Sequence, residues 1–257
     1  MVDDQEHDYF TLIITTMQKI TSLLLGVAMA AMLVPSTTFA ATTPADNFCT
    51  RLSGREADLD KATAQRESSV SQYQQDQIAR IAKNRADQDK QIELNRANQD
   101  TEFAKRISHL EARAKTQTQK DAVATYQSTI NAATVVRRAS IDSASNTFRT
   151  GVDAAVTARH SGMKSAVSAF IGNIDTAIAK AKTDCTANVK PSTVQRAFQN
   201  DLDAARSTFK TAKSNLPNLV AQIETLRASR VASVETARGV FKTAARAAKT
   251  ALENAFK

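Results

Sequence analysis

The residues of this chain best suited to covalent chemistry are its two cysteines, Cys49 and Cys185. An even number of cysteines favours a disulfide bond when a protein leaves the reducing cytosol. A bond between these two would close a very large loop, worth about 5 kcal/mol in the chain-entropy account of disulfide stabilisation. The alternative is a pair of thiols buried at apolar positions. The sequence predicts the disulfide, provided that the protein is exported.

The residue types that catalyse reactions or bind metal ions form no recognisable motif. Neither His109 nor His160 is followed, three or four residues later, by a histidine, cysteine or carboxylate. The sequence has no glycine-rich phosphate loop, no nucleophile elbow and no Cys-x-x-Cys pair. Its carboxylates alternate with lysine and arginine, as on solvated helix surfaces. We therefore expect no enzymatic activity, no catalytic residue, no metal, no cofactor and no small-molecule substrate.

The N-terminus has the pattern of an export signal. A lysine precedes an apolar run from 20 to 34, and small residues follow, so that signal peptidase would cleave between Ala40 and Ala41. The apolar run is shorter than the roughly 20 residues of a membrane-spanning helix, which favours cleavage over retention as an anchor. Residues 1–16 are acidic and fit a signal poorly, so Met17 is an alternative start. The sequence predicts a periplasmic, cell-surface or extracellular protein.

Composition and charge favour long helices with a basic surface. The 257 residues include no tryptophan, six glycines and four prolines, which is typical of helical proteins with few turns. Without residues 1–40 the chain has 33 basic and 22 acidic residues, a net charge of +11. The segment 190–257 carries twelve basic and five acidic residues, or +7 of that charge.

The basic segment 190–257 suggests anionic polymers or a membrane surface as partners. The alternative is a solvated basic helix face that only keeps the protein soluble. The sequence contains no specific nucleic-acid motif, and aromatic residues that stack on bases are sparse.

Apolar residues recur every eleven residues in two successive parts of the chain. Eleven residues make three helical turns, so each series forms a nearly straight apolar seam along a helix. The first seam comprises Phe48, Leu59, Val70, Ile81, Ile92, Phe103 and Ala114, and the second comprises Ile130, Ile141, Val152, Met163, Ile174 and Cys185. The stretch 81–91 also repeats as 92–102 with six of eleven residues identical, which indicates one short unit tiled along a helix.

The two seams and the cysteines predict the same helical hairpin. A turn at about residue 116 pairs seam residues whose numbers add up to 233, beginning with Phe103 and Ile130. The same hairpin brings Cys49 beside Cys185, whose numbers add up to 234. One uninterrupted helix is the alternative, since neither glycine nor proline marks the turn.

The second helix of this hairpin carries a wider apolar face than the first. Further series with the same step start at Val156 and Ala133, which is enough apolar surface for two neighbouring helices. Gly151, Gly162 and Gly172 each weaken the helix by up to about 1 kcal/mol relative to alanine. They mark either a soft or a closely packed part of the helix.

A third helix completes the expected fold. From Phe198 to Leu226 apolar residues alternate steps of four and three, as in a coiled coil. This phase continues across Pro217, so we expect a kinked continuous helix rather than a turn. The predicted helices cover residues 46–115, 120–187 and 192–257. They form an all-α fold, an antiparallel hairpin extended to an elongated three-helix coiled-coil bundle, in one domain from 41 to 257 after the export signal of 1–40.

These features predict an exported, non-enzymatic coiled-coil rod that acts as a structural or interaction protein of the cell envelope or surface. Self-association through the helical seams is compatible with that role. The alternative is a binding module whose basic helical surface holds anionic polymers, membrane surfaces or, like a chaperone, unfolded client proteins.

Overall fold

The computed structural model describes residues 46–257, and between 46 and 77 it describes only some of the side chains. The described chain is all-helical, without a β-strand. Its four helices are α1 (Asp46–Arg113), α2 (Gln117–Thr186), α3 (Pro191–Ser214) and α4 (Leu219–Ala255). None of these helices has an apolar stretch of the length that a bilayer crossing requires. The predicted export signal, with its cleavage between Ala40 and Ala41, lies outside the described residues.

A short turn at 114–116 separates α1 from α2 at the position that the two seams predict. Thr116 and Gln119 close this turn reciprocally. The Thr116 hydroxyl accepts a hydrogen bond from the Gln119 amide, and the Gln119 side-chain oxygen accepts from the Thr116 amide, each at 3.2 Å. This is a capping box, which satisfies two backbone donors at the start of α2.

α3 and α4 are separate helices, so the expected continuous helix from 192 to 257 is wrong. Asn215 ends α3, and its amide donates to the carbonyls of the preceding helical turn. Pro217 has no amide hydrogen to donate, and its ring would clash with the backbone of the preceding helical turn. The helix therefore does not continue through it. The Asn218 side chain then accepts from the Ala221 amide at 3.2 Å and caps α4.

The described chain forms two compact units. Unit 1 contains residues 46–86 and 160–216, and unit 2 contains 87–159 and 217–257. In unit 1 the core lies between α2 and α3, where the rings of Phe170 and Phe209 are 5.3 Å apart. A smaller cluster of Leu52, Ala181 and Val194 lies beside Cys185. The buried members of the main cluster are Met163, Ala166, Phe170, Ile174, Ile178, Ala205 and Phe209.

The core of unit 2 draws on α1, α2 and α4. Ile107 and Val123 lie on either side of the α1–α2 turn and are buried with Leu252 of α4. The rings of Phe103 and Tyr126 pack beside them with centroids 6.3 Å apart. Unit 2 therefore joins the end of α4 to the turn of the hairpin.

The second predicted seam is better buried than the first. Ile130, Val152, Met163 and Ile174 are all buried. In the first seam, Ile92 is 43% exposed, so its expected pairing with Ile141 does not bury it. Nearby, Arg96 bridges α1 to α2 through Asp142, which gives this part of the contact a polar character. The side chains of Leu59 and Val70 lie outside the described part.

Candidate functional site

Within unit 2, helices α2 and α4 leave an open groove between them. One cavity of about 740 Å³ and an adjoining one of about 500 Å³ lie along the two helices, and Ser140 and Ser233 line both. On α2 the groove extends from Ser128 to Phe148, and on α4 from Leu226 to Ala244. It therefore follows about 20 residues of α2, or roughly 30 Å at the rise of an α-helix.

Small side chains keep the groove open, while the two helices approach closely at one end. An added Cβ at Gly151 of α2 would lie 2.6 Å from a methyl carbon of Leu226 on α4. Further along, the groove positions include Ala132, Ala133 and Ala237, which fill little of the space between the helices. Of the two alternatives for the glycines of α2, the structure supports close packing at Gly151, whereas nothing lies within 4 Å of an added Cβ at Gly172.

Two large apolar side chains in the groove remain in contact with solvent. Val136 of α2 is 56% exposed, and Val240 of α4 is 57% exposed, and both line the larger cavity. Apolar surface that is held in water costs about 25 cal/mol for each Å² that a partner would cover. Exposed apolar groups gathered in a groove are a feature of binding surfaces.

Two arginine–phenylalanine pairs cross between the helices in opposite directions. Arg137 of α2 lies over the Phe241 ring of α4, with Cζ 4.2 Å from the ring centroid. Arg230 of α4 lies over the Phe148 ring of α2 at 5.7 Å, and its Nε donates to the Ser145 hydroxyl at 3.4 Å. These pairs place two cationic groups in the lining of the groove, one in each cavity.

The groove has a positive electrostatic character. Partial burial lowers the pKa of Arg137 below its usual value, and the charges of Arg138, Arg96 and Arg238 lower it further. Among the described residues that line the two cavities, none is acidic. An anionic group brought into the groove would be attracted by the charges of Arg137 and Arg230, which line it.

The neighbouring arginines are directed away from the groove by their own acidic partners. Arg138 binds Asp100 through two hydrogen bonds of 2.7 and 2.9 Å, and Arg96 binds Asp142 through two of 2.6 and 3.0 Å. These pairs join α2 to α1 rather than to α4. Arg137 thus differs from both, because its described contact is the ring of Phe241.

Three hydroxyl groups that line the groove already donate hydrogen bonds within their own helices. Ser140, Ser233 and Thr236 each donate to a backbone carbonyl four residues earlier, at 2.9, 3.0 and 2.9 Å. Burying a hydroxyl that keeps its hydrogen bond within the helix costs less free energy than burying one that must give up a hydrogen bond with water. An apolar partner surface can therefore cover these three hydroxyl groups at low cost.

The predicted disulfide between Cys49 and Cys185 is present in unit 1, with the two Cα atoms 5.9 Å apart. It joins the start of α1 to the end of α2, and the ion pair of Glu56 and Lys182 lies close to it in sequence. Phe48 packs on Phe198 of α3 with ring centroids 5.8 Å apart. The disulfide therefore holds these two helix ends together within unit 1.

No described group of histidine, cysteine and carboxylate side chains has the arrangement of a metal site. His109 is exposed and His160 half-buried, and they belong to different units. The arginine pairs of the groove were missed by the sequence reasoning, because Arg137 and Phe241 lie on helices whose mutual register no spacing in the sequence defines. Comparison with models of protein families, with curated proteins and with solved structures finds no match to this chain.

Proposed function

We propose that this protein is a non-enzymatic interaction protein, and that a partner binds in the groove between α2 and α4. The observation that carries this proposal is that Val136 and Val240 are more than half exposed in one groove that also contains Arg137. A partner that covers the valines gains hydrophobic free energy, and the arginine provides orientation. In this proposal the remaining helical contacts form coiled-coil-like seams that support the groove.

We place this function outside the cytosol. The N-terminal pattern of a signal cleaved after Ala40 supports export. The bond between Cys49 and Cys185 is compatible with an oxidising compartment, since structural disulfides are rare in the cytosol. A scaffold of the cell envelope or surface, built on an elongated three-helix coiled coil, is the role that fits these features.

A second candidate function follows from the basic charge of residues 190–257. Lys242 and Arg246 are exposed on α4, where they are available to anionic polymers or to a membrane surface. Titration of the purified protein with heparin and with phosphatidylglycerol vesicles separates the two functions. Binding that falls steeply between about 50 and 300 mM salt supports the basic-surface function.

Site-specific photo-crosslinking tests the interaction function in the cells that make the protein. A photoreactive amino acid replaces Ser140 in the groove, and a matched variant carries it at Ser207, which is exposed in unit 1. We expect one discrete protein crosslink from position 140 and none from 207, and its loss when Val136→Glu and Val240→Glu are added. Equal crosslinking from both positions, or none from either, would overturn the proposal.

A further inference from the structure

Resting on the proposed interaction function, we infer that the groove between α2 and α4 binds an acidic amphipathic α-helix of another protein. The helix would place its apolar face against Val136 and Val240 and two carboxylates against Arg137 and Arg230. Shape, charge and the spacing of the two arginines each contribute to this assignment.

The shape of the groove fits a helix. It lies between the adjacent helices α2 and α4 and follows about 20 residues of α2. Alanine and serine side chains line it. Small residues let a third helix approach within the roughly 8–10 Å that separates packed helix axes. A helix that lies in a groove presents apolar side chains every three or four residues, which matches a lining of valine and alanine.

Charge selects an acidic helix rather than a second copy of this chain. Arg137 and Arg230 line the groove, and no described lining residue is acidic. If two copies met through this face, neither lining would supply a carboxylate to the arginines of the other copy, and the positive charges brought together would oppose association. A partner with carboxylates at these places has no such cost and gains a charge-assisted hydrogen bond at each arginine.

The positions of the arginines set the spacing of the carboxylates. Arg230 lies over the ring of Phe148, which comes eleven positions after Arg137 on α2, and Arg137 lies over the ring of Phe241, which comes eleven positions after Arg230 on α4. Eleven positions correspond to about 16 Å along a helix. A partner helix that runs along the groove spans this distance in about eleven residues, so we expect two acidic residues at i and i+11.

A pair of designed peptides tests the inference on the purified, disulfide-bonded protein. Both are helical 21-residue peptides with an alanine and leucine face; one carries glutamate at i and i+11, and the other carries glutamine there. Fluorescence anisotropy titrations at about 50 mM salt should give at least roughly tenfold tighter binding for the glutamate peptide, and the ratio should shrink at about 300 mM salt because exposed ion pairs are screened.

Variants of the protein assign the effect to the groove. Arg137→Gln and Arg230→Gln should each weaken the glutamate peptide about fivefold and leave the glutamine peptide unchanged. Arg246→Gln, at an exposed position of α4 that lines neither cavity, removes the same charge and should change binding less than twofold. Ser140→Trp should fill the groove and abolish binding of both peptides, whereas Ser207→Trp should not.

Each other outcome overturns a defined statement. Equal binding of the two peptides, with loss on Ser140→Trp, would show a groove that binds helices without acidic recognition; the inference would fail and the interaction function would stand. Equal effects of Arg246→Gln and Arg137→Gln would reduce the selectivity to net charge and overturn the inference. Absence of binding at millimolar peptide, with a groove-specific crosslink from position 140, would exclude an acidic helix as the partner but not an interaction.

Discussion

Arg138 on α2 and Asp100 on α1 form a two-point ion pair, with hydrogen bonds of 2.7 and 2.9 Å. The pairs Arg96–Asp142 and Arg149–Asp89 have the same geometry, and in all three the residue numbers add up to 238. The disulfide-bonded cysteines add up to 234, and the stacked rings of Phe103 and Tyr126 add up to 229. The sum of residue numbers is thus larger than the seam value of 233 for the ion pairs and smaller for the rings.

The pair of Arg138 and Asp100 predicts a pH dependence. The hydrogen bond and charge of Arg138 lower the pKa of Asp100 below 3.8. Because the folded pKa is the lower one, the stabilising contribution of the pair is present above pH 3.8 and is lost as the pH falls through the folded pKa. Arg138→Gln should raise the pKa of Asp100 from its lowered value, as measured by NMR titration of its carboxyl carbon.

A matched variant controls for net charge in that titration. Arg246→Gln removes one positive charge from an exposed site of α4 and should leave the pKa of Asp100 unchanged. If Arg138→Gln does not move this pKa, the ion pair does not persist in solution.

The disulfide provides a second prediction. Reduction, or the double variant Cys49→Ser and Cys185→Ser, should lower the free energy of unfolding of unit 1 by about 5 kcal/mol, because the bond closes a loop across 136 residues. Urea unfolding followed by circular dichroism, with and without reductant, measures the effect. The double serine variant serves as the control, since reductant should not change its midpoint. Equal midpoints for the oxidised and reduced protein would contradict a stabilising role.

The hairpin was predictable because two independent patterns agree on it. The apolar seams and the cysteines both require a turn near 116, and the structure has that turn at 114–116. A third, local signal was overlooked: Thr116 followed by Gln119 is the sequence of a capping box. Because neither glycine nor proline occurs there, the turn was hard to recognise, although Thr116 and Gln119 specify the start of α2.

The break between α3 and α4 was missed, although its residues are suggestive. The apolar phase runs on across Pro217, and all nine seam residues from Phe198 to Leu226 are at least half-buried. Phase continuity was therefore a poor guide to backbone continuity. Asn218 after the proline is a preferred helix N-cap, and that local signal is what the structure follows. Because α4 is a separate helix, residue spacing does not define which residues of α2 it faces. Spacing alone could therefore not predict the partners of Arg137 and Arg230.

Two glycine substitutions in unit 2 form a third prediction. Gly239→Ala on α4 should raise the free energy of unfolding by about 1 kcal/mol, because nothing lies within 4 Å of the added Cβ and alanine favours the helix. Gly151→Ala gains the same propensity, but its Cβ would lie 2.6 Å from Leu226. The terminal methyl groups of Leu226 must then shift, and because overpacking costs up to about 1–3 kcal/mol we expect a smaller gain than for Gly239→Ala, or a loss.

The contrast depends on Leu226, which a further variant isolates. In a Leu226→Ala background Gly151→Ala should stabilise the protein by about 1 kcal/mol, as Gly239→Ala does, since the obstructing side chain is gone. Thermal unfolding of the four combinations measures this coupling. If Gly151→Ala behaves identically with and without Leu226, the close approach of α2 and α4 at this point is not maintained.

The stacking of Arg137 on Phe241 gives a last prediction. A double-mutant cycle of Arg137→Gln and Phe241→Leu should yield a coupling energy of about 0.5–1 kcal/mol, the range of partly exposed cation–π pairs. The corresponding cycle of Arg230→Gln and Phe148→Leu should yield less, because that cation lies 5.7 Å from its ring centroid instead of 4.2 Å. Urea unfolding of the single and double variants supplies both values. Equal coupling energies in the two cycles would argue against the shorter distance of the Arg137 stack. If neither cycle shows coupling, the rings do not hold the arginines, and the arginines do not present a fixed spacing to a partner.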